Sequence, residues 1–208
     1  MKIALFGGTG RTGHYILDAA LADGHAVTVL ARNPSKLPPG KYRLTIQLGD
    51  VTDGDNVDDT IFGQDVVISA LGLSDNAKPH ALSTGIANII RAMHTHSRSR
   101  VVVIAGAGIL DDPDTGGLRI DSPNYPAVFR PYGEEHRRVY DLLQGTNLDW
   151  TLVCPPSMRD EAPAGNVRIA VDRLPPGGEG VAYVDVARFA YGLLSSGAYV
   201  RQRVGIAD

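Results

Sequence analysis

The sequence predicts an α/β protein in which a parallel sheet lies between two layers of helices. Apolar runs of strand length alternate with stretches whose apolar residues recur at helical spacing, and these alternate along most of the 208-residue chain. The first apolar run, residues 2–6, breaks directly into a loop with glycine at every third position, Gly7, Gly10 and Gly13, and then into a helix. Strand, glycine turn and helix start in immediate succession mark a Rossmann-like doubly wound sheet, a three-layer α/β/α architecture.

Residues 2–6 lack the apolar/polar alternation of a half-solvated strand, so both faces are expected to be covered. In the turn that follows, Gly7 allows the sharp reversal, Gly10 lets backbone amides approach a pyrophosphate, and Gly13 lets helix and strand pack closely. Ile16, Leu17, Ala20 and Leu21 continue at helical spacing, which a glycine-rich hairpin would not require. Asp23 and Gly24 stop the helix, and β-branched residues 25–31 form the second strand.

Turn chemistry over residues 33–40 leads to a third strand at 44–48, and residues 55–62 form a short, weakly amphipathic helix. A fourth strand is expected at 65–71 and a helix at 85–96, with Ile86, Ile89, Ile90 and Met93 on one face. A fifth strand is expected at 100–105. Periodicity is then lost over 106–131, which fills with Gly, Asp and Pro just beyond a strand's carboxyl end, where such sheets bind ligands. A helix at 134–145 and a sixth strand at 149–154 follow, stopped by Pro155 and Pro156. The remainder holds a strand at 167–171, a flexible loop at 175–180, a helix at 185–196 and a strand at 203–207. No linker interrupts the chain. It is therefore read as one NAD(P)-binding domain, 1–208, with substrate-site loops at 106–131 and 155–183.

A net charge of −3 with interspersed signs argues against nucleic acid and against a membrane surface, both of which require a concentrated basic face. Cys154 is the only cysteine, no basic-then-apolar leader opens the chain, and no apolar run approaches the length of a bilayer span. A cytoplasmic protein is expected. No metal site is expected: His80, His94 and His96 lack carboxylate partners, and the 111–114 acidic run lacks calcium-loop spacing.

At the end of the second strand, where an NAD-binding fold places a carboxylate for the ribose 2′-hydroxyl, this chain has Arg32. A guanidinium can grip a 2′-phosphate with paired, charge-assisted hydrogen bonds, so NADP is the expected coenzyme, with Arg11 and Lys36 available to the same anion pocket. Asp50 and Val51 would lie near the adenine, and Leu71 and Gly72 beside its ribose.

The glycine turn, Arg32, the Gly49-Asp50-Val51 run, residues 66–72 and residues 148–156 together resemble the atypical short-chain dehydrogenase/reductases that bind NAD(P)H, and among them the biliverdin-IXβ reductase/flavin reductase group. The resemblance implies that Gly7, Thr9, Gly10, Arg11, Thr12 and Gly13 hold the pyrophosphate, with Arg32 on the 2′-phosphate, Asp50 and Val51 on the adenine and Leu71 and Gly72 on the ribose. It also implies that Ala105, Gly106, Pro155, Pro156 and Ser157 flank the nicotinamide. The chain departs from the pattern at two places: relatives commonly carry serine after the fifth strand and histidine after the paired prolines, whereas this chain has Ala105-Gly106 and Ser157.

Tyr132 and His136 stand four apart at a helix start, where broader short-chain dehydrogenases carry Tyr-x-x-x-Lys. That spacing puts both on one face, so that a protonated imidazole could lower the phenol's pKa and help it donate a proton. The expected activity is NADPH-dependent hydride transfer to a small conjugated acceptor, a flavin, quinone or biliverdin-like molecule, in a pocket lined by Ile109, Tyr125 and Phe129. Such chemistry needs orientation more than a protein acid. The alternative is a non-catalytic NADP(H)-binding redox sensor.

Overall fold

In the computed structural model, which describes residues 1–73 and 80–208, eight strands form one sheet in the order β3-β2-β1-β4-β5-β6-β10-β8. The elements in chain order are β1 (Lys2–Phe6), α1 (Arg11–Ala22), β2 (Ala26–Ala31), β3 (Leu44–Leu48), α2 (Gly54–Ile61), β4 (Val66–Ser69), α3 (Ala81–Thr95), β5 (Arg100–Ile104), α4 (Arg130–Gln144), β6 (Asp149–Cys154), β7 (Ser157–Arg159), β8 (Arg168–Val171), β9 (Gly180–Ala182), α5 (Tyr183–Gly192) and β10 (Gln202–Ala207). All pairings in the sheet are parallel except β10 with β8, which closes one edge antiparallel. β7 and β9 pair with each other outside it.

Alternating side chains of the inner strands feed two cores, which explains why those strands read as unbroken apolar runs. Ala4 and Phe6 of β1 pack with α2, α3 and α4 through Val57, Ile61, Ile86, Ile89, Val139 and Leu143. Ile3 and Leu5 pack with α1 and α5 through Ile16, Leu17, Ala20, Val186 and Ala190. Burying each such branched side chain contributes about 1.5–3 kcal/mol.

The strand order reverses direction between β2-β1 and β1-β4, as in the dinucleotide-binding arrangement. The chain leaves β1 toward one edge and returns beside β1 as β4. The loops after β1 and β4 therefore part at this point, and a crevice opens between them.

Several boundaries differ from the sequence reading. α3 starts at Ala81 and α4 at Arg130, each four residues before the expected start. α5 runs from Tyr183 to Gly192 rather than 185–196. The 106–131 segment is ordered by short 3-10 turns at Ala107–Ile109, Arg119–Asp121 and Ala127–Phe129. Its anchor is Arg203 of β10, which donates to the Ile109 carbonyl at 2.7 Å and pairs with Asp111 and Asp172, both at 2.9 Å. Three-residue β7 and β9 are too short to carry a sequence period, and Gly180, expected in a flexible loop, opens β9. Of the histidines weighed as metal ligands, His80 pairs with Glu135 at 2.9 Å and His96 with Asp58 at 3.1 Å. No helix among the described residues is long and apolar enough to cross a membrane.

Candidate functional site

A cleft of about 700 Å³ crosses the carboxyl ends of the central strands. Its floor is the β1–α1 turn, with Gly7, Thr9, Gly10, Arg11 and Thr12 on the surface. Gly7 has φ +84°, and a Cβ there would strike the Ala70 carbonyl. A Cβ on Gly13 would strike the Gly7 carbonyl, the oxygen that also accepts from the Gly10 N–H at 3.0 Å. Gly13 thus packs behind the cleft rather than lining it.

The turn delivers α1 with Gly10 as its N-cap, no side-chain cap and no acidic residue in the first turn. The unsatisfied N–H groups of that turn, at the positive end of the helix dipole, form an anion seat. Side chains on Gly7 and Gly13 would run into backbone and force the turn open, and in its present shape the turn fits a diphosphate.

At the end of β2, Arg32 is exposed on the cleft wall, and no hydrogen bond or ion pair among the described residues engages it. Lys36 sits in a 3-10 turn, Pro34–Lys36, capped by Asn33 accepting from the Ser35 N–H at 3.0 Å. Its position is exposed and off the cleft wall.

Beyond β3, Asp50, Val51 and Thr52 line the wall. One Asp50 carboxylate oxygen accepts from both the N–H and the hydroxyl of Thr52 at 2.8 Å. The Val51 carbonyl accepts from Asn88 Nδ2 at 2.9 Å, and its side chain rests against Gly85, so α3 braces this end from behind. Leu71 and Gly72 lie on the wall as expected.

The opposite end is made by Ile104, Ala105, Tyr132, His136, Met158 and Tyr183. Pro155, Pro156 and Ser157 are not on this wall. β7 presents Met158 there instead, and the Met158 sulfur accepts from the Thr12 hydroxyl at 3.9 Å. Gly106 is also off the wall: a Cβ on it would stand 2.8 Å from His136 Nδ1, so the ring occupies the space that any other residue would need.

Arg11 does not reach toward Arg32. Its guanidinium lies 4.2 Å from the Tyr183 ring centroid and 3.1 Å from the Asp160 carboxylate, bridging the glycine turn to the segment after β7.

The expected role of His136 is corrected. Burial pushes its pKa down to about 4, against a smaller opposing pull from Glu135, so near pH 7 the imidazole is neutral and cannot serve Tyr132 as a cation. The expected acceptor pocket is corrected as well. Ile109 is fully buried in the core, Tyr125 packs against Gly108 and Gly133, and Phe129 is exposed away from the cleft wall.

Four contributors escaped the sequence reading. Tyr183, Met158 and Asp160 fall within the 155–183 stretch expected to carry site loops, but no local signal marks them individually. Thr52 could have been found, since a carboxylate two residues before a threonine is a turn signature. The buried Glu135 also went unread. It accepts from the Ser83 N–H at 3.1 Å and pairs with His80 at 2.9 Å and Arg138 at 2.8 Å, tying α4 to the start of α3.

The profile of a family described as NAD(P)H-binding matches residues 7–196. The chain is 29% identical to YwnB, an uncharacterized Bacillus subtilis protein, over 93% of this chain and 91% of that one. It is similar in structure to a provisionally named NADH-flavin reductase from Streptococcus pneumoniae, with a TM-score of 0.85 and 26% identity over 100% of this chain and 99% of that one. A shorter match, 38% identical over 82 residues, links 35% of the chain to 27% of phenylcoumaran benzylic ether reductase 1 from Arabidopsis thaliana.

Proposed function

The chain belongs to the NAD(P)H-binding family of atypical short-chain dehydrogenase/reductase type, and from that premise we propose that it is an NADPH-dependent reductase of a small conjugated acceptor. The observation that carries the reading is the uncapped start of α1 over the glycine cradle, with the unengaged Arg32 on the same wall. The first suits a diphosphate and the second an additional phosphate on the adenine ribose. The Streptococcus neighbour, with its flavin-reductase name, supports a flat aromatic acceptor.

The bound coenzyme would supply a hydride from its reduced nicotinamide. The residues of the chain would do the rest. The first-turn amides of α1 anchor the diphosphate, Arg32 takes the 2′-phosphate, and Asp50 and Val51 seat the adenine with Leu71 and Gly72 beside its ribose. Ile104, Ala105 and Met158 offer an apolar wall at the far end, where a planar acceptor can lie against the coenzyme. Held there, the two reactants need little else, because orientation alone supplies much of the acceleration.

The test is direct. NADPH and NADH are titrated by fluorescence, and nicotinamide absorbance is then followed with flavins, quinones and biliverdin as acceptors. Tight NADPH binding with turnover of at least one acceptor is expected. No affinity for either coenzyme would sink the reading, and binding without any turnover would favour a dinucleotide sensor.

A further inference from the structure

His136 is the cleft residue whose position is least explained by packing. It projects from α4 onto the wall at the Ala105 end, and no hydrogen bond or ion pair among the described residues engages its ring. The ring fits only because position 106 is glycine: the Nδ1–Cε1 edge would stand 2.8 and 3.0 Å from a Cβ there. Its neighbour Glu135 hydrogen-bonds elsewhere, to His80, Ser83 and Arg138, and not to the imidazole. Set into a backbone gap beside the carboxyl end of β5 and lining the cleft, the ring keeps both nitrogens free to hydrogen-bond a ligand there.

We infer that His136 is a catalytic residue: a neutral imidazole that hydrogen-bonds the acceptor where hydride arrives and passes it one proton. The assignment rests on the reductase reading above and assigns the proton that reading leaves open. The acceptor takes a hydride, two electrons and one hydrogen, from the reduced nicotinamide, which leaves oxidised. A second hydrogen comes as a proton from the imidazole N–H, while the other ring nitrogen takes a proton from water, and the hydroxide left is neutralised by a solvent proton. One NADPH and one proton are consumed, and the ring returns to its starting charge. The low pKa suits this cycle, since a ring neutral at working pH donates from one nitrogen and accepts at the other. Tyr132, one turn away and exposed, lies on the same wall without being required.

The experiment uses the full chain with ring-labelled histidine, the His136 signal being identified by its loss in His136→Gln. Addition of NADP⁺, and then of flavin mononucleotide, is expected to shift that signal. His136→Gln should keep NADPH affinity within about threefold and lose about 10²–10⁴-fold in turnover of a quinone. Gly106→Ala should displace the ring and lose turnover in the same range while its melting curve stays cooperative. A His136 signal that moves with neither ligand, or His136→Gln turnover within threefold of the parent, overturns the inference. Absence of any coenzyme affinity overturns the reductase reading and this assignment with it, whereas an unaffected His136→Gln enzyme overturns the assignment alone.

Discussion

The guanidinium of Arg11 lies 4.2 Å from the centre of the Tyr183 ring, so a residue of the β1–α1 turn is clasped to the first residue of α5 across the cleft. Asp160 completes the clasp from the other side at 3.1 Å, with both charged partners well exposed. A bound diphosphate would compete with Asp160 for the same cation. Asp160→Asn is therefore expected to tighten NADPH binding by about two- to fivefold, the range of an exposed ion pair, and the gain should shrink with added salt. Fluorescence titrations at low and high ionic strength measure both effects.

Arg32→Asp should weaken NADPH by at least tenfold and leave NADH within about threefold. Charge-assisted hydrogen bonds contribute about 1.5–3 kcal/mol, and a carboxylate would also repel the 2′-phosphate. Equal weakening of both coenzymes would remove Arg32 from the phosphate site.

Gly13→Ala pushes a methyl into the Gly7 carbonyl, and backbone cannot swing aside as a flexible side chain can. A cost of about 1–3 kcal/mol is expected, with a melting temperature several degrees lower and coenzyme affinity lost together with the turn. Thermal melts with and without NADPH check this, because a parent stabilised by coenzyme and a variant indifferent to it is the expected pair.

Acid should loosen the fold in two stages. His136 has a depressed folded pKa of about 4, so the unfolded chain binds the proton more readily; stability is intact above the unfolded value near 6.5 and falls as pH drops toward 4. Burial alone would raise the Glu135 pKa, but hydrogen bonds from His80 and Ser83 and the nearby Arg138 charge together hold it below the usual carboxylate value. Its contribution is therefore present above the ordinary carboxylate pKa and lost as pH falls through the lower folded one. Melts between pH 7 and 3 should show both stages in the parent, a flatter upper stage in His136→Gln and a flatter lower stage in Glu135→Gln.

Cys154 is wholly buried on β6, and burial pushes its thiol pKa up to about 12. The native protein should resist thiol reagents for as long as it stays folded and react fully in denaturant. Rapid labelling under native conditions would mean that the β6 end opens readily.

Both halves of the sheet were legible in the sequence, but the two ends of the cleft were not equally so. From Lys2 to Leu48 the boundaries were read to within a residue, because strands covered on both faces must be apolar throughout and glycine spacing leaves little alternative to a phosphate turn. Arg32 and Asp50 follow from strand ends, so their places on the wall were readable too. At the other end, Met158 and Tyr183 come from three-residue β7 and from the residue just after β9, too short to carry a period, and their placement depends on pairing across more than twenty residues. The spacing of Tyr132 and His136 was legible. Their chemistry was not, because the charge of a histidine depends on burial, and burial here depends on Gly106, thirty residues away in sequence.

Arg203 binds the Ile109 carbonyl and Asp111 from a strand that lies more than ninety residues later in the chain. A guanidinium near the end of the chain therefore ties down the backbone just past β5, beside the Ala107 N–H that donates to the Pro155 carbonyl at 3.0 Å. During synthesis that tie can form only once β10 has emerged, so the segment past β5 gains its full set of contacts late.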